Sequence, residues 1–261
     1  MHNRREFLKA TSLTAVAAAG IPAIVSAAFG AQGPRQVELK TGDVILFQGD
    51  SITDFGRDRK PPNFNIENAD RTKEYNDFNS LGAGYAMLAG SEILFKARQK
   101  KLKVFNRGIS GDKVYQLADR WEEDCLALKP TVLSILVGVN DYWHSLLNGY
   151  KGTAETYLTD YRKLLDRTLN ALPGISIIIG EPFAVAGVQA VTPQWYPAFD
   201  QYRKIARDLA TEYKTRFIPY QAVFDQAVKL APASYWTFDG VHPSVPGCKL
   251  MADAWLRVVK P

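Results

Sequence analysis

From Val37 onward the chain alternates short apolar runs with longer amphipathic stretches. Five runs read as strands: residues 43–48 (DVILFQ), 103–106 (KVFN), 131–137 (TVLSILV), 176–180 (SIIIG) and 216–219 (RFIP). They are rich in β-branched and aromatic residues and show little alternation, as expected of strands buried on both faces. The helices fall between them. In residues 153–172, Leu158, Tyr161, Leu165, Leu169 and Leu172 recur on one face. Thr153 is a candidate N-cap there, and Pro173-Gly174 closes the end. Residues 202–213 and 249–259 carry the same period. Strand and helix in alternation predict right-handed crossovers and a parallel sheet with helices on both faces. No linker, repeat or second core interrupts the pattern. One segment breaks it: residues 57–80 are polar, charged and rich in Asn and Pro, predicting an irregular loop of more than twenty residues. Loops of that length in a compact domain are usually functional or mobile.

The first thirty residues follow a different rule. Arg4-Arg5 precedes Phe7-Leu8-Lys9, then an Ala-rich apolar run, then small residues. This resembles a bacterial twin-arginine export signal over residues 1–31, cleaved between Ser26 and Gln32, and it predicts a periplasmic or secreted protein. The competing reading is a membrane anchor, because residues 11–29 are nearly long enough to span a bilayer. Gly20-Ile21-Pro22 breaks that run, and the expectation is no stable anchor. The remaining residues, 32–261, form one domain. Export would place Cys125 and Cys248 in an oxidising space; the pattern favours two buried thiols over a bridge.

Composition narrows the function. The 261 residues are 46% hydrophobic and 23% charged, which excludes a disordered chain. Net charge is +5 with the two signs interspersed, so nucleic acid is not the expected partner. Two cysteines exclude a disulfide scaffold and a four-cysteine zinc site.

Chemistry-bearing residues stand at the predicted carboxyl edge of the sheet, where open α/β folds bind ligands. The first strand runs into Gly49-Asp50-Ser51, placing a hydroxyl there; Ser51 could equally cap the next helix. The second ends in 106–112 (NRGISGD), a glycine turn without the lysine and spacing of a phosphate loop. Gly82-Ala83-Gly84 is likewise no dinucleotide fingerprint. The third ends in Gly138-Val139-Asn140-Asp141, where the Asn140 amide is either a donor to an oxyanion or a turn residue. Near the end comes Asp239-Gly240-Val241-His242-Pro243, an acid three residues before a histidine. Of three histidines, His2 leaves with the signal. A base working near neutral pH is then His144 or His242. His242 has an adjacent acid, and the order Ser51, Asp239, His242 fits a nucleophile–acid–base relay.

FQGDSITD, NRGISGD, GVND and DGVHP, in this order, resemble the four sequence blocks of the SGNH hydrolase (GDSL esterase/lipase) superfamily. Within it, GDSITDFGR, LGAGY, NRGISGDKV, RWEEDCLALKP, SILVGVNDYW and VHPSVPG look like bacterial acetylxylan esterases, over most of the chain from about Gly42. The departures are the polar loop after Arg57 and residues 184–197. The resemblance implies a flavodoxin-like three-layer α/β/α sandwich with a five-stranded parallel sheet. It implies Ser51 as nucleophile, His242 as base and Asp239 as its orienting acid. The oxyanion hole would be the Ser51 and Gly111 N–H groups with the Asn140 amide. No metal or organic cofactor is implied; homo-oligomers are.

The expected substrate is acetylated polysaccharide or oligosaccharide, xylan foremost. Aromatic pairs punctuate the site loops at 142–143, 195–196 and 235–236, and flat faces with a polar handle suit sugar rings. Trp143, Trp195, Trp236 and Asp50 are the candidate substrate contacts. The alternatives are a lysophospholipase or general lipolytic esterase, and a non-catalytic carbohydrate-binding protein.

Overall fold

The computed structural model describes residues 20–31, 33–59 and 71–261. Among the described residues there are seven strands: β1 (Val37–Glu38), β2 (Val44–Gly49), β3 (Lys103–Asn106), β4 (Val132–Leu136), β5 (Ser176–Gly180), β6 (Arg216–Ile218) and β7 (Val259–Lys260). The five runs predicted from sequence are β2 to β6. They form one parallel sheet in the order β3-β2-β4-β5-β6, with Ile45 opposite both Val104 and Val132. The residues of the inner strands β2, β4 and β5 are almost entirely buried, as continuous apolar runs require; the edge strands β3 and β6 are less so. β1 and β7 pair separately, in parallel.

Helices cover both faces. In chain order they are α1 (Ile21–Phe29), α2 (Ser51–Asp54), α3 (Phe78–Leu81), α4 (Tyr85–Lys96), α5 (Val114–Asp119), α6 (Trp121–Asp124), α7 (Val139–Leu147), α8 (Ala154–Ala171), α9 (Ala198–Glu212), α10 (Tyr220–Ala227), α11 (Ala233–Trp236) and α12 (Val245–Val258). α1, α4, α10 and α12 pack together, as do α5, α7, α8 and α9. Successive strand residues point to opposite faces, so β2 tells which group lies where. The Phe47 ring meets Tyr85 of α4 and Trp255 of α12. The next residue, Gln48, donates its amide to the carbonyl of Asp124 at the end of α6, 2.8 Å away. The sheet is therefore sandwiched between two helical layers.

α8 matches the predicted segment, capped by Thr153. Two helices start earlier than their periodicity suggests. α9 begins at Ala198 rather than at residue 202, and α12 at Val245 rather than 249. Ser244 caps α12 by accepting from Gly247 N, and Pro246 sits in its first turn. Proline is compatible with that position because its missing N–H has no helical partner there. The polar segment is partly structured. Asp77 caps α3, and a 3₁₀ turn covers Arg71–Lys73; residues 60–70 lie outside the described residues. Cys125 and Cys248 are both buried and free.

Residues 1–19 of the expected export signal lie outside the described residues. Its remainder includes α1, which buries Ile24 and Val25 against α10 and α12. Among the described residues, no helix is long and apolar enough to cross a membrane.

Candidate active site

The sheet order reverses at β2. β3 lies on one side of it and β4 on the other, which opens a crevice at the carboxyl ends of the strands. Ser51 opens α2 directly after β2. Asp50 caps that turn, its Oδ1 accepting from Ile52 N at 3.0 Å. Asn140 stands in the first turn of α7 directly after β4, and Gly111 lies in the loop after β3.

Here Ser51 meets two side chains of one loop near the C-terminal end of the chain. Ser51 Oγ lies 2.8 Å from His242 Nε2, and His242 Nδ1 lies 2.8 Å from Asp239 Oδ2. The other Asp239 oxygen accepts from His242 N at 2.8 Å and Val241 N at 2.9 Å. Asp239 is thus held by its own loop. Burial acts to raise its carboxyl, but the bonds from His242 and Val241 outweigh it and bring it down to about 2. The bond from Asp239 pushes the His242 imidazole up, against a smaller effect of burial; the Asp239 and Asp50 charges add to the rise. Such a chain can draw the proton from Ser51 Oγ while Asp239 fixes the tautomer and steadies the cation.

The chain segments after β2, β3 and β4 also present hydrogen-bond donors. Among the described residues, neither Ser51 N–H nor Gly111 N–H has a hydrogen-bond partner. Gly111 takes φ +87, in the left-handed region open to glycine. Asn140 donates one amide hydrogen to Asp112 O at 3.2 Å and keeps the second.

The loop carrying Gly111 is pinned by buried polar groups. Asn106 donates to the carbonyls of Thr53 and Leu81 and accepts from Gly108 N. Gly108 lies so close to α2 that a Cβ there would collide with Asp54 N. Arg57 Nε donates to Gly108 O at 2.8 Å, and Asp54, which is ion-paired with Arg59, accepts from Ser110 N at 2.9 Å. Arg120 reaches Asp112 at 2.8 Å, Asp124 at 2.9 Å and the Arg107 carbonyl at 2.7 Å. The fully buried Arg107 pairs with Glu74 at 3.2 Å and Asp124 at 3.7 Å. Sequence reasoning named none of these supports: the bonds of Arg57 to Gly108, of Ser110 to Asp54 and of Arg107 to Glu74 join residues far apart in the chain.

The substrate contacts named from sequence fare differently. Trp143 is half-buried, its ring centre 6.2 Å from that of His242. Trp195 is fully buried among Tyr142, Trp143 and Phe199 and donates to Ala190 O. Trp236 is buried and donates to Ala231 O. Both are corrected to packing residues, since neither ring has a face open to a sugar. Asp50 is also corrected: it is fully buried beneath Ser51, where burial above all drives its carboxyl up to about 7. Tyr235, 53% exposed, and Phe238, 63% exposed, adjoin the loop that carries Asp239 and His242. In the 235–236 pair, therefore, the tyrosine and not the tryptophan reaches solvent. Among the described residues, no three His, Cys, Asp or Glu side chains gather as metal ligands.

Comparison with known proteins agrees with this architecture. The profile of the GDSL-like lipase/acylhydrolase family matches residues 47–250. An acetylxylan esterase from Geobacillus stearothermophilus is 32% identical over 227 residues, covering 85% of this chain and 96% of that protein. The crystal structure of that organism's acetylxylan esterase Axe2 superposes with a TM-score of 0.72 at 32% identity, covering 85% of this chain and 95% of its own. Catalytic mutants of Axe2 have been solved at a serine and at an aspartate and a histidine three positions apart. A Parabacteroides merdae protein described as a GDSL-like lipase is 50% identical, with a TM-score of 0.80, over 85% of this chain and 98% of its own.

Proposed function

The chain belongs to the GDSL-like lipase/acylhydrolase family, and from that premise we propose that it is an exported serine esterase removing acetyl groups from carbohydrate, with acetylated xylan as substrate. The observation that carries the reading is the unbroken relay from Ser51 Oγ through His242 to Asp239, 2.8 Å at each step. His242 takes the Ser51 proton as Oγ attacks the ester carbonyl. The oxyanion forms against Ser51 N–H, Gly111 N–H and the free amide hydrogen of Asn140. Losing one such donor costs about 3–4 kcal/mol of barrier. His242 then gives the proton to the leaving alcohol. Water, activated by the same imidazole, releases acetate from Ser51.

The small acyl group is supported by the polar surroundings. Each buried CH₂ contributes about 0.8 kcal/mol only where apolar surface excludes water, and the charged and polar stretch 71–77 adjoins α3 beside the site. The sugar is supported by the half-open ring of Trp143 and by the likeness to acetylxylan esterases. Export is supported by the twin arginines at positions 4 and 5. A lipolytic reading has one observation in its favour, the exposed Phe238 beside the triad loop. Rates on 4-nitrophenyl acetate, butyrate and octanoate separate the two. The deacetylase reading expects kcat/KM to fall steeply with chain length; a rise would overturn it in favour of the lysophospholipase.

A further inference from the structure

His144, set aside as the relay base for want of an acid partner, occupies a position of its own. α7 presents Asn140, Trp143 and His144 at spacings of three and four, hence on one face. Asn140 reaches the oxyanion loop and Trp143 packs against His242. The imidazole of His144 turns to Gly111: among the described residues its Cε1, 3.9 Å away, is the one heavy atom within 4 Å of where a Cβ on Gly111 would stand. The face that supplies a donor to the hole thus continues outward as an indole and an imidazole, ending at the exposed Leu147.

Both ring nitrogens of His144 are without hydrogen-bond partners among the described residues, although the ring is half-buried. Its backbone is fixed, the carbonyl accepting from Asn148 N and from Tyr150 N at 3.1 Å. Tyr150 stacks on Tyr115, with ring centres 5.8 Å apart, and the Lys113 ammonium lies 5.2 Å from the Tyr150 ring. Burial, with Lys113 adding to it, pushes the His144 imidazole down, so at neutral pH it is uncharged, with one donor and one acceptor. An acetyl methyl can use neither; a sugar hydroxyl can use both.

We infer that His144 is a specificity-determining residue, hydrogen-bonding a hydroxyl of the sugar that carries the ester, with Trp143 beside it. The inference rests on the carbohydrate reading above and assigns that reading a residue.

The test exploits a substrate whose leaving group has no sugar hydroxyl. His144→Leu and His144→Gln are compared with wild type on 4-nitrophenyl acetate and on acetylated xylo-oligosaccharides. The expected result for His144→Leu is a KM about tenfold higher on the oligosaccharide, the size of one hydrogen bond. Its kcat/KM on 4-nitrophenyl acetate should stay within about twofold of wild type, which also certifies the fold. His144→Gln, which keeps a donor and an acceptor, should recover most of the oligosaccharide KM. Equal losses on both substrates would show that His144 merely supports the Gly111 loop, and no loss on either would show that it touches no substrate; each overturns the inference and leaves the deacetylase reading standing. A wild-type enzyme that cleaves 4-nitrophenyl acetate but frees acetate from no acetylated sugar overturns both.

Discussion

The two halves of the proposed site, triad and oxyanion hole, are built in opposite ways. The Asp239–His242 half is local: Asp239, Val241 and His242 lie within four residues, and the Asp239 carboxylate takes all three of its hydrogen bonds from that stretch. The oxyanion half is distributed. Its loop is held by Asp54 at the end of α2 and Arg57 after it, by Arg120 between α5 and α6, and behind these by Glu74, Arg107 and Asp124. A base must remain half-exposed to exchange protons with substrate and water, and a short loop suffices to aim it. A hole made of backbone N–H groups acts only if the backbone stays fixed while charge develops, and buried charged groups provide that rigidity.

Damage to the triad half should therefore abolish chemistry while sparing the fold. Ser51→Ala and His242→Ala are each expected to lower kcat on 4-nitrophenyl acetate by at least about a thousandfold, with circular dichroism and melting temperature near wild type. Activity within tenfold of wild type in either would remove that residue from the relay. Asn140→Ala, in the other half, should lower kcat by about a hundredfold or more with little change in KM. An effect on KM alone would mean that it binds ground-state substrate instead.

The contrast is sharpest at Arg120. Its removal takes a near-buried cation from both Asp112 and Asp124, leaving Asp124 with Arg107 at 3.7 Å, and breaking such a pair from one side costs about 3–5 kcal/mol. Arg120→Met should therefore lose stability in urea unfolding as well as kcat. Unchanged stability would show the oxyanion half to be as local as the triad half.

Proton linkage differs in sign between the two triad partners. Because the His242 value is raised, the acid limb of kcat/KM should lie above the usual histidine value of about 6.5, and a limb below it would contradict the bond to Asp239. For folding, His242 stabilises fully below about 6.5, and this contribution is lost as pH rises through its higher folded value. Asp239 does the reverse. Its contribution is present above about 3.9 and lost as pH falls toward about 2.

The smallest expected effects on rate separate the tryptophans. Trp195→Ala should cost about 3–5 kcal/mol of stability as a core truncation. Trp143→Ala should instead raise KM for acetylated oligosaccharides a few-fold. Reversed outcomes would undo the correction of Trp195 to the core.

Legibility from sequence followed the same division. The strands could be read because a run buried on both faces needs no partner to be recognised, and β3 and β5 fall on their predicted residues. That Ser51, Asp239 and His242 come together could be anticipated because each lies in a short local motif. Arg107 and Arg120 could not, since nothing in their neighbourhood says which acids they meet. The aromatic pairs misled for the same reason. Which ring of 235–236 faces solvent is set by α11 packing on α12, not by the dipeptide.

The central claim is that Ser51 removes acetyl from a sugar. Acetate released from acetylated xylo-oligosaccharides, followed over time with wild type and Ser51→Ala at equal concentration, tests it most directly. The account predicts steady release by wild type and none above the uncatalysed rate by the variant. Release by both, or by neither, would contradict it.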